Sequence, residues 1–263
     1  MCTSHQQLAV IIKHNMRQFL VKISNLLNPS ISRVIRGLLV YIRSRHLYSS
    51  WKIYTMSDET NKYQHITEAI NYLRVAGANN RLPQSYFEFG CHSGRTFSAA
   101  MNAANYLKME DFQFHAFDSF GGLPPTSDDD GYFEEGTFNT SEKDFLKIVK
   151  KRTGKKLSSS SIHKGYYSES LTKELQESLP KAGVVYVDVD LYSSTVELFQ
   201  FMKPLLVDGS VILFDDWYCF PFGDEGGEGL AMKEFLQKNP NFELIPWKTY
   251  STFGQSFFIK INS

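Results

Sequence analysis

The sequence predicts an α/β fold built on a mostly parallel sheet with helices on both faces. Three observations predict it. From about residue 85, short apolar strands alternate with helical stretches, which is the pattern of a parallel sheet covered on both sides. Glycines or carboxylates stand at the ends of several of those strands, where an open parallel sheet holds its ligands. The last two apolar runs, Phe242–Tyr250 and Gln255–Ile261, are joined by a glycine-containing turn and should pair antiparallel.

Taken in order, the chain begins with a basic helical extension, residues 1–60, before a main domain at 61–263. Leu8, Ile12, Met16, Phe19, Ile23 and Leu27 recur three or four apart and share one helix face, which Pro29 ends. A second helix runs from Ser32 to about Leu47. From Met1 to Ser57 there is no Asp or Glu, while Lys13, Arg17, Lys22, Arg33, Arg36, Arg43, Arg45 and Lys52 are all basic. Packing on the domain or on a second copy of the chain is the expected role. Peripheral contact with an anionic membrane, or organelle targeting, would use a similar sequence. A helix over 61–76 follows, with Ile66, Ile70 and Leu73 on one face.

The sheet then reads as strand Tyr86–Gly90, helix Arg95–Leu107 and strand Gln113–Ser119. A long Gly-, Pro- and Asp-rich loop from Gly121 to about Thr140 leads into helix Ser141–Thr153. Strand Ser160–Gly165, helix Glu169–Ser178, strand Val184–Asp190 and helix Ser194–Leu206 come next. Strand Ser210–Asp216 and helix Gly229–Gln237 precede the terminal hairpin.

Composition narrows the function. The 3 cysteines, Cys2, Cys91 and Cys219, are scattered, and the 7 histidines form no chelating pair, so neither a disulfide framework nor a structural zinc site is expected. Any metal would need oxygen ligands. No apolar run is long enough to span a bilayer, a cytoplasmic location is expected, and no nucleic-acid partner is.

The loop Gly90-Cys91-His92-Ser93-Gly94 follows a strand and opens a helix. Its glycines allow tight turning and close approach of a nucleoside, although it lacks the third glycine of the dinucleotide fingerprint. Asp118 ends the neighbouring strand, where a carboxylate can accept both ribose hydroxyls. Glu88 lies in an otherwise apolar strand. It is either a strand-end carboxylate or the acceptor for the amino group of a methionine moiety, a group that a nicotinamide dinucleotide lacks.

Two further strands end in carboxylate pairs: Asp188 with Asp190, and Asp215 with Asp216. Carboxylates that close repel one another and raise each other's pKa, and a divalent cation removes that repulsion. All-oxygen ligation suits Mg²⁺, with Mn²⁺ or Ca²⁺ as alternatives. Asp188, Asp215 and Asp216 are assigned to the metal, and Asp190 is either a further ligand or the base that deprotonates an acceptor hydroxyl.

Several motifs then stand in one order: Glu88-Phe89-Gly90 with Gly94, Phe117-Asp118-Ser119-Phe120-Gly121-Gly122-Leu123-Pro124, Lys164-Gly165-Tyr166-Tyr167-Ser168-Glu169-Ser170-Leu171, Asp188-Val189-Asp190-Leu191-Tyr192-Ser193-Ser194-Thr195 and Phe214-Asp215-Asp216-Trp217. In this set the chain, from about residue 85, resembles the macrocin O-methyltransferase family. The resemblance implies the seven-stranded, Rossmann-like fold of class I methyltransferases with a C-terminal antiparallel hairpin. It implies S-adenosylmethionine as donor, with Glu88, Gly90, Gly94, Asp118, Ser119, Lys164, Gly165 and Tyr166 on the donor side. It also implies Mg²⁺ on Asp188, Asp215 and Asp216, catalysis through Asp188 and Asp190, and a sugar, glycan or small-molecule hydroxyl as acceptor. The metal arrangement is similar to that of catechol O-methyltransferases, but Leu191 replaces the lysine those enzymes carry after the first metal Asp. Loop Gly121–Thr140 and segment Tyr218–Glu228 read as covers for the site; Asp224, Glu225 and Glu228 are expected in a solvated loop, with contact to the substrate as the alternative. Two competing readings are a nicotinamide-dependent oxidoreductase and a non-catalytic binding protein with a relic domain.

Overall fold

The computed structural model describes residues 58–76, 82–125 and 135–262, all within the unit Asp58–Ser263. The helices expected over residues 1–57, and the middle of the expected cover loop, lie outside the described residues. Among the described residues, no helix is long and apolar enough to cross a membrane.

Helix α1 occupies residues 58–76. It is helical from the first described residue, so the boundary expected at residue 60 falls inside it. The elements that follow are β1 (Ser85–Phe89), α2 (Arg95–Tyr106), β2 (Gln113–Asp118), α3 (Glu142–Thr153), β3 (Ile162–Lys164), α4 (Tyr167–Ser170) and α5 (Lys173–Ser178). Then come β4 (Ala182–Val187), α6 (Tyr192–Met202), β5 (Leu206–Phe214), α7 (Gly227–Lys238), β6 (Phe242–Thr249) and β7 (Gln255–Ile261). The seven strands form one sheet in the order β3-β2-β1-β4-β5-β7-β6. The first five are parallel, while β7 runs antiparallel to both β5 and β6. The fold class and the terminal hairpin are as the sequence implies.

Both faces of the sheet are dry. Tyr86, Ala116, Val184, Tyr186 and Leu213 pack under α1, α2 and α3 on one side. Phe87, Phe89, Phe117, Val185, Val187 and Phe214 pack under α6 and α7 on the other. All five residues of β1 and all six of β4 are buried, as expected of central strands covered twice. Rings tie the strands together: Phe117 stacks on Phe89 at 4.3 Å and on His163 at 4.4 Å. Each such phenyl contributes roughly 2–3 kcal/mol through burial.

Helix ends follow local chemistry. Ser141 caps α3, accepting the Asp144 N–H, and Gly154 closes it in the left-handed conformation. The single helix expected over Glu169–Ser178 is two, because Thr172 stops α4 and caps α5 through the Leu175 N–H. Strand β3 is shorter than expected because Ser159–Ser161 form a 3₁₀ turn.

The order places β1 and β4 side by side, with β2 and β3 on one flank and β5 on the other. The chain leaves β1 toward one face of the sheet and β4 toward the other. This is the switch point, and the crevice that opens there, beyond the carboxyl ends of the strands, is where such sheets bind ligands.

Candidate active site at the switch point

The glycine loop is held by its neighbours. Gly90 donates its N–H to Phe117 O at 2.9 Å, and Asp188 donates its own to Phe89 O at 3.0 Å. Gly90 has φ 80°, and a Cβ there would sit 1.6 Å from the Asp188 carbonyl oxygen. No other residue fits between the β1 and β4 loops. Gly94, φ 68°, starts α2 and packs on Phe145 and Val149 rather than on the crevice.

Asp118 accepts the His92 N–H at 2.8 Å on one oxygen and the Phe120 N–H at 2.7 Å on the other. It thereby ties the loop after β1 to the loop after β2. Ser119 Oγ donates to Gly122 O and accepts from the Gly121 N–H, closing the next turn. Glu88 is fully buried, 2.5 Å from Tyr86 Oη and 2.7 Å from Thr96 Oγ1. It braces the first turn of α2 and does not line the crevice. Burial pushes its pKa up to about 8. Lys164 is exposed and lies 3.5 Å from Glu142, so it too stands apart from the crevice.

The four aspartates of the acidic edge divide between two surroundings. Strand β4 ends at Val187 and β5 at Phe214, so all four aspartates lie beyond their strands. The chain reverses at Asp190, which has φ 60°. Asp188, Asp190 and Asp216 bring one oxygen each within 4.8 Å of one another, and a carboxyl–carboxyl hydrogen bond joins Asp190 to Asp216. Asp215, the remaining expected ligand, turns the other way. It accepts Tyr186 Oη at 2.7 Å and Lys62 Nζ at 2.7 Å.

Glu228, expected in a solvated loop, is only 1 % exposed. It accepts the Asp216 N–H at 3.1 Å and the Val189 N–H at 3.4 Å, and so clamps the two aspartate loops together. The correction has a physical cause: the neighbouring glycines let backbone close around the carboxylate. A Cβ on Gly229 would lie 1.5 Å from Gly223 O. Burial, then the charges of Asp215, Asp216 and Asp190, raise Asp188 well above the carboxylate range. Burial and Asp215 raise Asp216, and burial and Asp216 raise Glu228. Cys219 donates to Asp216 Oδ1 at 3.3 Å.

One cavity of about 460 Å³ connects the two halves. Gly90, His92, Asp118, Ser119, Gly165 and Tyr166 line one part, and Asp188, Asp190, Ser193 and Glu197 another; Leu123, Pro124, Pro125 and Phe138 border it from the cover loop. Backbone strain gathers here. Of six described non-glycine residues with positive φ, His92, Phe138 and Asp190 line the cavity, and Phe120 adjoins Ser119. Each such residue costs roughly 1–3 kcal/mol, and such outliers collect at functional sites. Lys62 and Tyr186 were not singled out from sequence, and Glu228 was expected in a solvated loop. No local pattern links Lys62 to Asp215, which are 153 positions apart.

A seven-stranded sheet in this order, with a glycine loop, a strand-end carboxylate and a cavity at the switch point, is the class I methyltransferase fold. Residues 87–217 match the family model described as a methyltransferase domain, so this part of the chain reads as a methyltransferase domain. Among solved structures, the chain is similar to the O-methyltransferase NovP, with TM-score 0.61 and 18 % identity over 77 % of this chain and 80 % of that one. It is also similar to CalS11, a calicheamicin methyltransferase, with TM-score 0.55 and 18 % identity over 92 % and 90 %. The apo structure of CalS11, described as a TDP-rhamnose 3'-O-methyltransferase, gives TM-score 0.51 and 16 % identity over 98 % and 96 %. No curated protein sequence matches the chain.

Proposed function

We propose that this protein transfers a methyl group from S-adenosylmethionine to a hydroxyl of a sugar, glycan or related small molecule, with a divalent cation at the acidic edge. The observation that carries the proposal is the single cavity. It is lined by the loop residues suited to a nucleoside and by Asp188 and Asp190 together. The names of NovP and CalS11, and the ordered motifs shared with macrocin O-methyltransferases, support the O-methyl chemistry and the sugar acceptor.

The residues present fit both groups. Three carboxylate oxygens within 4.8 Å form a hard-oxygen donor set suited to Mg²⁺ or Mn²⁺. Burial first, and the neighbouring carboxylates after it, raise the proton affinity of Asp188 and Asp216, and a cation would relieve the part due to repulsion. Asp188 and Asp216 would hold the metal, with Asp215 the third ligand that the resemblance implies, which leaves Asp190 as the base. When bound, S-adenosylmethionine supplies an electrophilic methyl group and the cation supplies Lewis acidity toward the acceptor hydroxyl.

The chain's own groups position and deprotonate. Gly90 leaves room for a nucleoside against the backbone. Each Asp118 oxygen is used by one backbone N–H and keeps a lone pair for a ribose hydroxyl. Gly165 and Tyr166 border the place for the adenine ring, and Ser119 holds the turn beside it. Asp190 receives the acceptor's proton on its carboxylate, with Asp188 beside it. Most of the rate enhancement then comes from holding hydroxyl and methyl in line.

Calorimetry with S-adenosylmethionine tests the proposal. Binding is expected for the wild type, and Asp118→Ala should weaken it roughly 10- to 100-fold through the loss of hydrogen bonds to a charged acceptor. Folded protein that gives no heat with S-adenosylmethionine, with and without Mg²⁺, would overturn the proposal.

A further inference from the structure

Beyond Asp118 the cavity reaches a second acid that the proposed function does not use. Asp118 pairs in register with Lys164 of β3, and Gly165 donates its N–H to Asp118 O at 3.1 Å. A nucleoside whose ribose lies on Asp118 therefore sets its purine against the residues that follow β3, of which Gly165, Tyr166 and Ser168 line the cavity. The N-terminal half of α6 lines it too, through Ser193, Ser194 and Glu197, positions three or four apart on one helix face. Glu197 accepts the Ser168 N–H, so it stands at the purine end of the cavity. Helix α4 has no side-chain cap of its own, and Glu197 takes up one of the N–H groups that a first helical turn leaves open.

That contact uses one of about four acceptor positions on a carboxylate. No Lys or Arg is among the described residues that line the cavity, so the donor for the remaining positions has to come from the ligand. The neighbouring serine hydroxyls can donate or accept, whereas a carboxylate only accepts. Adenine carries a donor at its 6-amino group, and a 6-oxo purine carries an acceptor there.

We infer that Glu197 is the specificity-determining residue for the purine of the methyl donor: its carboxylate accepts the adenine 6-amino group and rejects a purine with oxygen at that place. This rests on the donor reading proposed above. A site built around a ligand N–H discriminates against the analogue that lacks it, because the buried acceptor is then left facing another acceptor.

The test is calorimetric titration of the full-length protein with S-adenosylhomocysteine and with S-inosylhomocysteine, which exchanges the 6-amino group for a 6-oxo group. Wild type should prefer the adenine ligand roughly 10- to 100-fold, the range for a hydrogen bond to a charged group. Glu197→Gln keeps an acceptor for the Ser168 N–H and offers an amide N–H to the purine. It should weaken the adenine ligand and bring the two affinities to within about threefold of each other. The ratio within one variant cancels any general damage to the cavity. If Glu197→Gln does not fold, Glu197→Ala should shrink the ratio in the same way.

A folded variant that keeps the wild-type ratio overturns the inference. Equal weakening of both ligands would make Glu197 a brace between α4 and α6 or a partner for the amino-acid end of the donor, and unchanged binding of both would remove it from the site. Equal affinity of wild type for the two ligands overturns it as well. If folded wild-type protein binds neither ligand, the donor reading itself fails, an outcome distinct from the others.

Discussion

Glu88 offers the sharpest separation between a ligand-binding acid and a structural one. It is fully buried in β1, between Tyr86 Oη and Thr96 Oγ1. Burial lifts its pKa from 4.5 to about 8, so at neutral pH it carries a proton in the folded chain and none in the unfolded one. The sign follows from that difference. The protonated group favours the folded state fully below pH 4.5, and the advantage is lost as pH rises through 8. The slope between those limits is about 1.4 kcal/mol per pH unit, and the whole effect is about 5 kcal/mol. Glu88→Gln keeps the shape and removes the titration. Urea unfolding of both proteins at several pH values from 5 to 9 should therefore give a stability difference that shifts by about 4 kcal/mol in favour of the variant as pH rises. S-Adenosylmethionine binding should persist in Glu88→Gln, since the side chain does not line the cavity. Parallel stability curves would refute the claim that Glu88 is a neutral buried acid. Loss of donor binding in a folded variant would restore it to the ligand side.

The histidine pair on β2 and β3 has the opposite sign. His115 Nδ1 and His163 Nε2 are 3.2 Å apart, and burial, with the neighbouring ring adding to it at His115, lowers both pKa values to about 4. Stability should fall as pH drops from 6.5 to 4, by about 3 kcal/mol for the buried His115, and thermal melts of His115→Phe should show a flatter acid limb. Gly90→Ala forces a Cβ to 1.6 Å from Asp188 O in a left-handed backbone. It should cost more than about 3 kcal/mol by chemical denaturation and abolish donor binding; a variant of wild-type stability would show that the two loops separate easily.

Strand existence, helix alternation and the terminal hairpin were legible because apolar periodicity reports burial. Strand ends were not. Val184–Asp190 and Ser210–Asp216 read as continuous strands, since an apolar run ending in acids looks the same whether the ladder stops at Val187 or at Asp190. The left-handed turn at Asp190 leaves no mark on periodicity. The site was legible as residue types: Gly90, Asp118, Ser119, Gly165, Tyr166, Asp188 and Asp190 all line one cavity. Glu88, Gly94 and Lys164 do not, because a motif names positions along the chain while burial and strand parity decide where each side chain goes. Glu228 was read as solvated because glycine-rich segments are usually loops. Here the glycines make room for backbone around a carboxylate.

The same parity explains the acidic edge. Consecutive residues at a strand end start toward opposite sides, so the two aspartates of the pair meet different surroundings. Asp215 continues the side of Leu213 and Tyr186, toward α1, where a lysine meets it. Asp216 continues the side of Phe214 and meets the turn from β4. Asp188, Asp190, Asp215, Asp216 and Glu228 converge there. Lys62 offsets one charge, and two backbone N–H groups satisfy Glu228. The carboxyl groups left to one another are Asp188, Asp190 and Asp216, two of which line the cavity. Burying carboxylates that close costs stability. The fold concentrates that cost at the one place where a cation and an acceptor hydroxyl could both reach it.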